Sequence, residues 1–221
     1  MAKYPAIEQP HIVLCEGKNA VSFVNGLIED LLLESADFGL FQILDGKSIT
    51  QLPTAIRDLP HSPGFKTKPV QSIIVLRDAE NDPDKRPDKS VTEALRRYGF
   101  AVPSAPCKVT LPLPATPIKV KTAYALFPSI VSHDLGTLED LCVKMLRKFN
   151  EKRMEISQVA VDAASIHVEK LTSPHKNRLF TYLSLTNNHF DCNIEKAIKR
   201  KVFDFKVPEL QPLRDLLSQM L

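Results

Sequence analysis

Hydrophobic positions along the first 150 residues follow two alternating spacings. Continuous apolar runs, rich in β-branched residues and too short for a helix, predict four strands at residues 11–15, 38–44, 72–76 and 122–127. After each run, apolar residues recur every three or four positions, which predicts helices at residues 19–33, about 48–59, 90–98 and from 137 onward. Four strand–helix pairs in succession indicate an α/β fold with a central, mostly parallel sheet flanked by helices.

The ends of several predicted elements carry specific signals. Ser48 is a candidate N-cap for the second helix, and Gly99 stands in a C′ position after the third. Thr137, followed three residues later by Asp140, marks the start of the fourth helix. The run at residues 72–76 is the most apolar of the four strands, so we expect it in the interior of the sheet.

The chain changes character in its second half. The seventeen prolines outnumber the seven glycines and crowd into residues 103–128, which favours an extended connector there. From about residue 155 the pattern is helical without a convincing strand. We therefore expect residues 1–150 to form the α/β core. Residues 151–221 are expected to form a helical C-terminal extension packed on that core, so that the whole chain is one compact domain.

Composition and charge narrow the class of protein. The chain is 43% hydrophobic and 25% charged, as ordinary globular proteins are. Residues 1–62 hold eight acids against four bases, whereas residues 144–206 hold thirteen lysines and arginines against seven acids. A basic half beside an acidic one is compatible with binding to a polyanion, although a solvated surface produces the same imbalance.

Cysteine spacing and hydropathy bear on the cellular compartment. The four cysteines form no C-x-x-C pair, and the histidines show no metal-binding spacing, so neither a disulfide framework nor a zinc site is expected. No apolar run reaches the roughly 20 residues of a membrane helix, and no signal-peptide pattern begins the chain. These features predict a cytoplasmic protein without membrane contact.

Carboxylates follow two of the predicted strands, at the point where each strand ends. Glu16 follows the first strand, and Asp78 and Glu80 follow the third. The carboxyl ends of parallel strands form the ligand crevice of such sheets, so we expect these three carboxylates to meet in one cleft. The spacing of Asp78 and Glu80 sends both side chains to one side of an extended backbone. Mg²⁺ or Mn²⁺ prefers oxygen ligands of this kind, although acids in solvated turns would look the same.

Two further residues are candidates for the same cleft. Glu139 follows the fourth strand and is a candidate for a second metal position, although acids in a first helical turn are also favoured by the helix dipole. Lys176, with Arg178, is a candidate for holding a phosphate, although lysines usually face solvent. The chain has no glycine-rich phosphate loop, and residues 45–48 fit a strand-to-helix turn better, so it is not expected to encode an ATPase.

These motifs together resemble a known superfamily. A strand ending in Glu16-Gly17 and a later strand ending in Asp78-Ala79-Glu80 resemble the Glu-Gly and Asp-x-Asp pattern of the Toprim superfamily of topoisomerases, primases and nucleases. Several further motifs resemble a bacterial family of stand-alone Toprim-like proteins related to the overcoming-lysogenization-defect nucleases. They are EGKN at 16–19, DGK at 45–47, GTLED at 136–140, K-x-R-x-x-TYL at 176–183, and the tail motifs within 197–217.

The resemblance implies a Toprim-like core and Mg²⁺- or Mn²⁺-dependent cleavage of phosphodiester bonds. Glu16, Asp78 and Glu80 would be the metal-binding acids, and Lys176 would position the substrate. Two residues depart from the pattern: Glu80 replaces the second aspartate, and Arg77 stands where an apolar residue is common.

The leading hypothesis is therefore a cytoplasmic nuclease that acts on nucleic acid, DNA in preference to RNA, in phage or plasmid defence or DNA repair. The main alternative is a non-catalytic Toprim-like module that works with a separately encoded ATPase. A third is a module that senses a nucleotide or another small phosphate ligand. The oligomeric state is left open, a homodimer being one arrangement that the sequence allows.

Overall fold

The structure of this chain is a computed structural model. It describes residues 6–48, 50–67, 70–80, 87–132, 134–147, 150–167, 174–185 and 193–221. A polar loop was predicted at residues 81–88, and its residues 81–86 lie outside the described residues. His133, His189 and Cys192 also lie outside them.

Four strands form a single sheet in which every neighbouring pair is parallel. In the order of the sheet they are β2 (Phe41–Asp45), β1 (His11–Cys15), β3 (Ser72–Asp78) and β4 (Lys121–Phe127). The predicted α/β fold with a parallel central sheet is confirmed. The prediction that the most apolar strand lies in the interior is also confirmed, because β3 pairs with a strand on each side.

Eight α-helices are formed by the described residues, and the chain after β4 is helical, as expected. They are α1 (Lys18–Leu32), α2 (Leu52–Asp58), α3 (Pro87–Arg97), α4 (Leu138–Arg147), α5 (Glu151–His167), α6 (Pro174–Ser184), α7 (Ile194–Lys199) and α8 (Gln211–Met220). Short 3₁₀ helices occupy Ala36–Leu40, Leu59–His61 and Pro208–Leu210. No helix in the described part of the chain is long and apolar enough to cross a membrane.

The sheet separates two hydrophobic layers. Alternate residues of β3 serve opposite layers, as the pleat of a strand requires. Ile74 and Leu76 pack in the layer that contains α1 and α4, and Ile73 packs in the layer that contains α2 and α3. The first layer extends to Met220 of α8, so residues from both sides of position 150 share one hydrophobic core.

Local signals placed several element ends correctly. The Thr137 amide donates a hydrogen bond of 2.8 Å to Oδ2 of Asp140, as the predicted capping pair requires. Gly99 has a φ of 83°, and its amide and that of Phe100 donate to the carbonyls of Arg96 and Leu95. These two bonds form the Schellman motif at the end of α3, so the C′ glycine is confirmed.

Three predicted boundaries are wrong. The third helix was expected from residue 90, but α3 begins at Pro87. The second strand was expected from residue 38, but Phe38 lies in a 3₁₀ helix and β2 begins at Phe41. Ser48 does not cap α2, because the helix begins at Leu52, after Gln51, and the Ser48 hydroxyl is hydrogen-bonded to the Thr50 hydroxyl instead of to a helix amide. Pro53 lacks an amide hydrogen and fits only the first helical turn, which explains the later start.

Candidate metal and phosphate site

A cleft of about 710 Å³ lies at the carboxyl ends of β1, β2 and β3, where α1 and α4 begin. This is the position at which open parallel sheets bind ligands. Its acidic side chains are those of Glu16, Asp45, Asp78 and Glu139, and its basic side chains are those of Lys18, Lys47 and Lys176. The structure thus brings together four of the five residues that the sequence singled out, Glu80 being the exception.

Glu16 occupies the turn between β1 and α1. Its amide donates a hydrogen bond of 2.8 Å to the carbonyl of Leu76, which extends the pairing of β1 with β3 by one residue. Gly17 follows with a φ of 83°, a left-handed conformation that glycine adopts without strain. Helix α1 begins at the next residue without a side-chain cap, so the chain turns sharply and leaves the Glu16 side chain at the cleft.

Arg77 is the nearest cation to Glu16. Its Nε atom lies 3.2 Å from Oε2 of Glu16, and only 1% of the Arg77 side chain is exposed. Nε and Nη1 of Arg77 and Oε2 of Glu16 are buried and have no aligned hydrogen-bond partner. The contact is therefore an ion pair. Burial raises the pKa of Glu16, and the positive charge of Arg77 partly offsets that rise.

Asp78 ends β3 and lies against the start of α4. Its Oδ1 atom accepts a hydrogen bond of 2.8 Å from the amide of Leu138, the first residue of that helix. Burial is the largest cause that raises the pKa of Asp78, which reaches about 8. The Leu138 hydrogen bond lowers this pKa, and the charges of Glu139, Glu16 and Glu80 raise it further. Carboxylates in such a buried group do not ionise together unless a cation compensates them.

Glu139 is held from two sides. Only 3% of its side chain is exposed, and its Oε1 atom accepts a hydrogen bond of 3.2 Å from the Asn19 side-chain amide. Lys176 on α6 places Nζ 3.8 Å from the same oxygen, with 49% of the lysine side chain exposed. Glu139 is a first-turn residue of α4 and lines the cleft for which the sequence made it a candidate.

Glu80 differs from its neighbours. It has a φ of 65°, so the backbone is not extended there, contrary to the expectation from its spacing with Asp78. Its carbonyl accepts a hydrogen bond of 2.9 Å from the amide of Gly136. Glu80 is not among the described residues that line the cleft, but its charge raises the pKa of both Glu16 and Asp78. It therefore contributes to the electrostatic field of the site from its edge.

The donor atoms in the cleft suit a hard divalent cation. Carboxylate oxygens are the ligands that Mg²⁺ and Mn²⁺ prefer, and the cleft is lined by the carboxylates of Glu16, Asp45, Asp78 and Glu139. In the conformation described, no group of three or more His, Cys, Asp or Glu side chains among the described residues is arranged to hold a metal ion. The chemistry of the donors therefore fits such an ion, and binding it requires side-chain rearrangement.

Several residues of the cleft were missed by the sequence argument. Asp45 ends β2 and Lys47 lies two residues after it, and that strand neighbours β1, so its carboxyl end belongs to the same edge of the sheet. Both residues could have been assigned to the cleft from the sequence if β2 had been placed next to β1 in the predicted sheet. Asn19 had no comparable signal. Arg178, which was paired with Lys176 in the sequence argument, lines a different cavity between α4, α5 and α6.

Comparison with known proteins defines a family and no activity. A family model described as "Protein of unknown function (DUF3226)" matches residues 10–221, so the chain belongs to that family. No curated protein and no solved structure matches the chain.

Proposed function

We propose that this protein is a Toprim-type nuclease that cleaves phosphodiester bonds in nucleic acid with Mg²⁺ or Mn²⁺. The observation that carries the proposal is the half-buried Asp78 carboxyl, which shares a cleft at the carboxyl ends of parallel strands with three other acids. Its pKa of about 8 reflects burial and three neighbouring carboxylates. Groups perturbed in this manner concentrate at functional sites.

Asp78 and Glu139 are the proposed principal metal ligands, with Glu16 and Glu80 close to them. A divalent ion, when bound, activates water and stabilises charge on the phosphate. The protein prepares this position with its own groups. The Leu138 amide fixes Oδ1 of Asp78, and the Asn19 amide fixes Oε1 of Glu139, so the remaining carboxylate oxygens are available to a cation.

The basic residues of the cleft are the proposed contacts for the nucleic-acid backbone. Lys18, Lys47 and Lys176 line the same cleft as the acids, and the first turn of α1 contains no acidic residue. Helix N-termini and lysines attract phosphate oxygens without reading base sequence. These contacts support a substrate that is recognised by its phosphate backbone. The preference for DNA over RNA is supported only by the resemblance to the Toprim-like nucleases.

The wider setting rests on that resemblance as well. It supports a role in phage or plasmid defence or DNA repair, together with a separately encoded ATPase as partner. We place the protein in the cytoplasm, a proposal supported by the free thiols of Cys15, Cys107 and Cys142, since reducing compartments keep thiols free.

One observation favours a second candidate, a non-catalytic module that binds a phosphate ligand. Glu16 is already paired with Arg77, and the described side chains form no preassembled three-acid group. Such a module would use the lysines of the cleft to bind its ligand and would not turn over nucleic acid.

Plasmid cleavage separates the two candidates. The intact chain is incubated with supercoiled plasmid and Mn²⁺, and Asp78→Asn is compared with Asp162→Asn, a control acid on the exposed face of α5. The nuclease proposal predicts nicking by the wild type and Asp162→Asn, and loss of nicking in Asp78→Asn. Binding without nicking in all three proteins would support the non-catalytic module instead. Asparagine resembles the protonated form of Asp78, so this variant is expected to fold.

A further inference from the structure

We infer that Arg77 supplies at Glu16 the positive charge that a second metal ion would otherwise provide, so that the cleft takes one divalent ion, between Asp78 and Glu139. This inference rests on the proposed metal-dependent function. It assigns Arg77 as a positioning residue for Glu16 and defines how many ions the site holds.

The strand register determines which residues meet. Cys15 of β1 pairs with Leu76 of β3, and the Glu16 amide continues that pairing to the Leu76 carbonyl. In a parallel pair the next two residues, Glu16 and Arg77, lie side by side and point to the same face. Asp78 points to the opposite face, where Leu138 contacts it. Glu16 therefore pairs with Arg77 on one face of the sheet, and Asp78 lies on the other face.

The position of Arg77 makes this pairing permanent. Arg77 is 1% exposed and its Nε and Nη1 atoms are buried, so moving its guanidinium into solvent would require the surrounding packing to open. A divalent ion on Glu16 would lie close to this fixed positive charge, in surroundings that screen it poorly.

The acids on the other side of the cleft have no such fixed partner. Lys176 is the cation near Glu139, and it is 3.8 Å away and half exposed. Its flexible side chain can withdraw into water while its charge remains solvated. An incoming divalent ion can therefore displace Lys176 from Glu139, whereas it cannot displace Arg77 from Glu16. This difference directs the ion to Asp78 and Glu139.

Counting bound Mn²⁺ on the full chain tests the inference without measuring catalysis. Free Mn²⁺ is followed by electron paramagnetic resonance during titration, and calorimetry gives the same count independently. Wild type and Arg77→Lys, which keeps the charge, should bind one ion. Arg77→Met releases the Glu16 carboxylate and should bind two. Glu16→Gln with Arg77→Met should return to one, because the released carboxylate is gone.

The double variant removes both buried charges, so it avoids an unpaired ion in the interior and carries the test even if Arg77→Met does not fold. Loss of all binding in the double variant would show that Glu16 is an essential ligand and would overturn the inference. Two ions on the wild type, or one on a folded Arg77→Met, would overturn it as well. No Mn²⁺ on the wild type would instead overturn the proposed metal-dependent function on which the inference rests.

Discussion

Nε of Arg77 lies 3.2 Å from Oε2 of Glu16, so the glutamate that follows β1 meets a buried cation supplied by β3. This relationship organises the site. It separates Glu16 from Asp78, which bonds to the Leu138 amide, and from Glu139, whose nearby cation is the half-exposed Lys176. The positive charge at residue 77 therefore occupies one part of the acidic site and leaves another part open to a metal ion.

The first prediction concerns the stability of this pair. Glu16→Gln leaves the Arg77 charge buried without its carboxylate, so we expect the free energy of unfolding to fall by about 3–5 kcal/mol. Adding Arg77→Met removes the orphaned charge and should restore much of that loss. Urea denaturation of the single and double variants gives the coupling energy.

The exposed Glu8 provides a matched control for this experiment. Glu8→Gln is expected to change the free energy of unfolding by less than about 0.5 kcal/mol. If Glu16→Gln were as mild as this control, the two charges would not depend on each other and the assignment of the ion pair would be wrong.

The second prediction concerns pH. The pKa of Asp78 is about 8 in the folded protein against an ordinary 3.8, because of burial and then the neighbouring carboxylates. Between these values the folded chain holds a proton that the unfolded chain releases. The stabilising contribution of Asp78 is therefore complete below pH 4 and is lost as the pH rises toward 8, at up to about 1.4 kcal/mol per pH unit.

Urea unfolding in a chelating buffer between pH 5 and 8 measures this effect. The free energy of unfolding of Asp78→Asn should depend less on pH than that of the wild type, by about one proton. Parallel curves for the two proteins would show that Asp78 titrates near its ordinary pKa and that the electrostatic description of the cleft is wrong.

The sequence predicted the features that depend on neighbouring residues. The parallel sheet followed from alternating strands and helices, and the helix starts and ends at Thr137 and Gly99 followed from local capping chemistry. The placement of Glu16 and Asp78 at one edge followed from the general rule for parallel sheets. The meeting of Glu16 and Asp78 also assumed that the first and third strands are neighbours, and the structure pairs these two strands.

The features that were missed depend on strand order and register. Arg77 was recognised as a departure from the superfamily pattern, but its position beside Glu16 follows from the pairing of Cys15 with Leu76, which the sequence does not contain. Lys47 was overlooked because the neighbour of β1 was unknown. The conformation of Glu80 depends on a backbone contact with the distant Gly136.

The third prediction concerns substrate binding. Lys176 is half exposed and lines the cleft, so Lys176→Met should weaken DNA binding and reduce the slope of log Kd against log salt by about one. Thermal stability should not change. Fluorescence anisotropy with a labelled duplex and a single strand measures both the affinity and the salt dependence.

Lys152 on the exposed face of α5 is the control for this charge removal. Lys152→Met should leave the affinity and the salt slope unchanged. Equal losses in the two variants would indicate non-specific attraction to the basic half of the chain and would contradict a role for Lys176 in the cleft.

The fourth prediction concerns the turn that presents Glu16. Gly17 has a φ of 83°, and an added Cβ would lie 3.8 Å from the nearest atom, the carbonyl oxygen of Lys47. The cost of a side chain at residue 17 therefore comes from the backbone conformation and not from a steric clash. Gly17→Ala should reduce the free energy of unfolding by about 1–2 kcal/mol. Gly39→Ala, at a position without a positive φ and with a nearest contact of 3.5 Å, is the matched control.

Urea denaturation compares these two glycine variants. Nicking by Gly17→Ala should also fall, because the strained turn displaces the Glu16 side chain. An alanine at residue 17 that is tolerated as well as one at residue 39 would contradict the conformation described for the β1–α1 turn.

Calorimetric titration of Mn²⁺ at pH 8 into the wild type and Asp78→Asn tests the central claim most directly, because it measures the ion at the residue assigned to hold it. Saturable binding to the wild type and its loss in a folded Asp78→Asn variant is the predicted result. Equal binding to both proteins, or none to the wild type, would contradict a metal site built on Asp78.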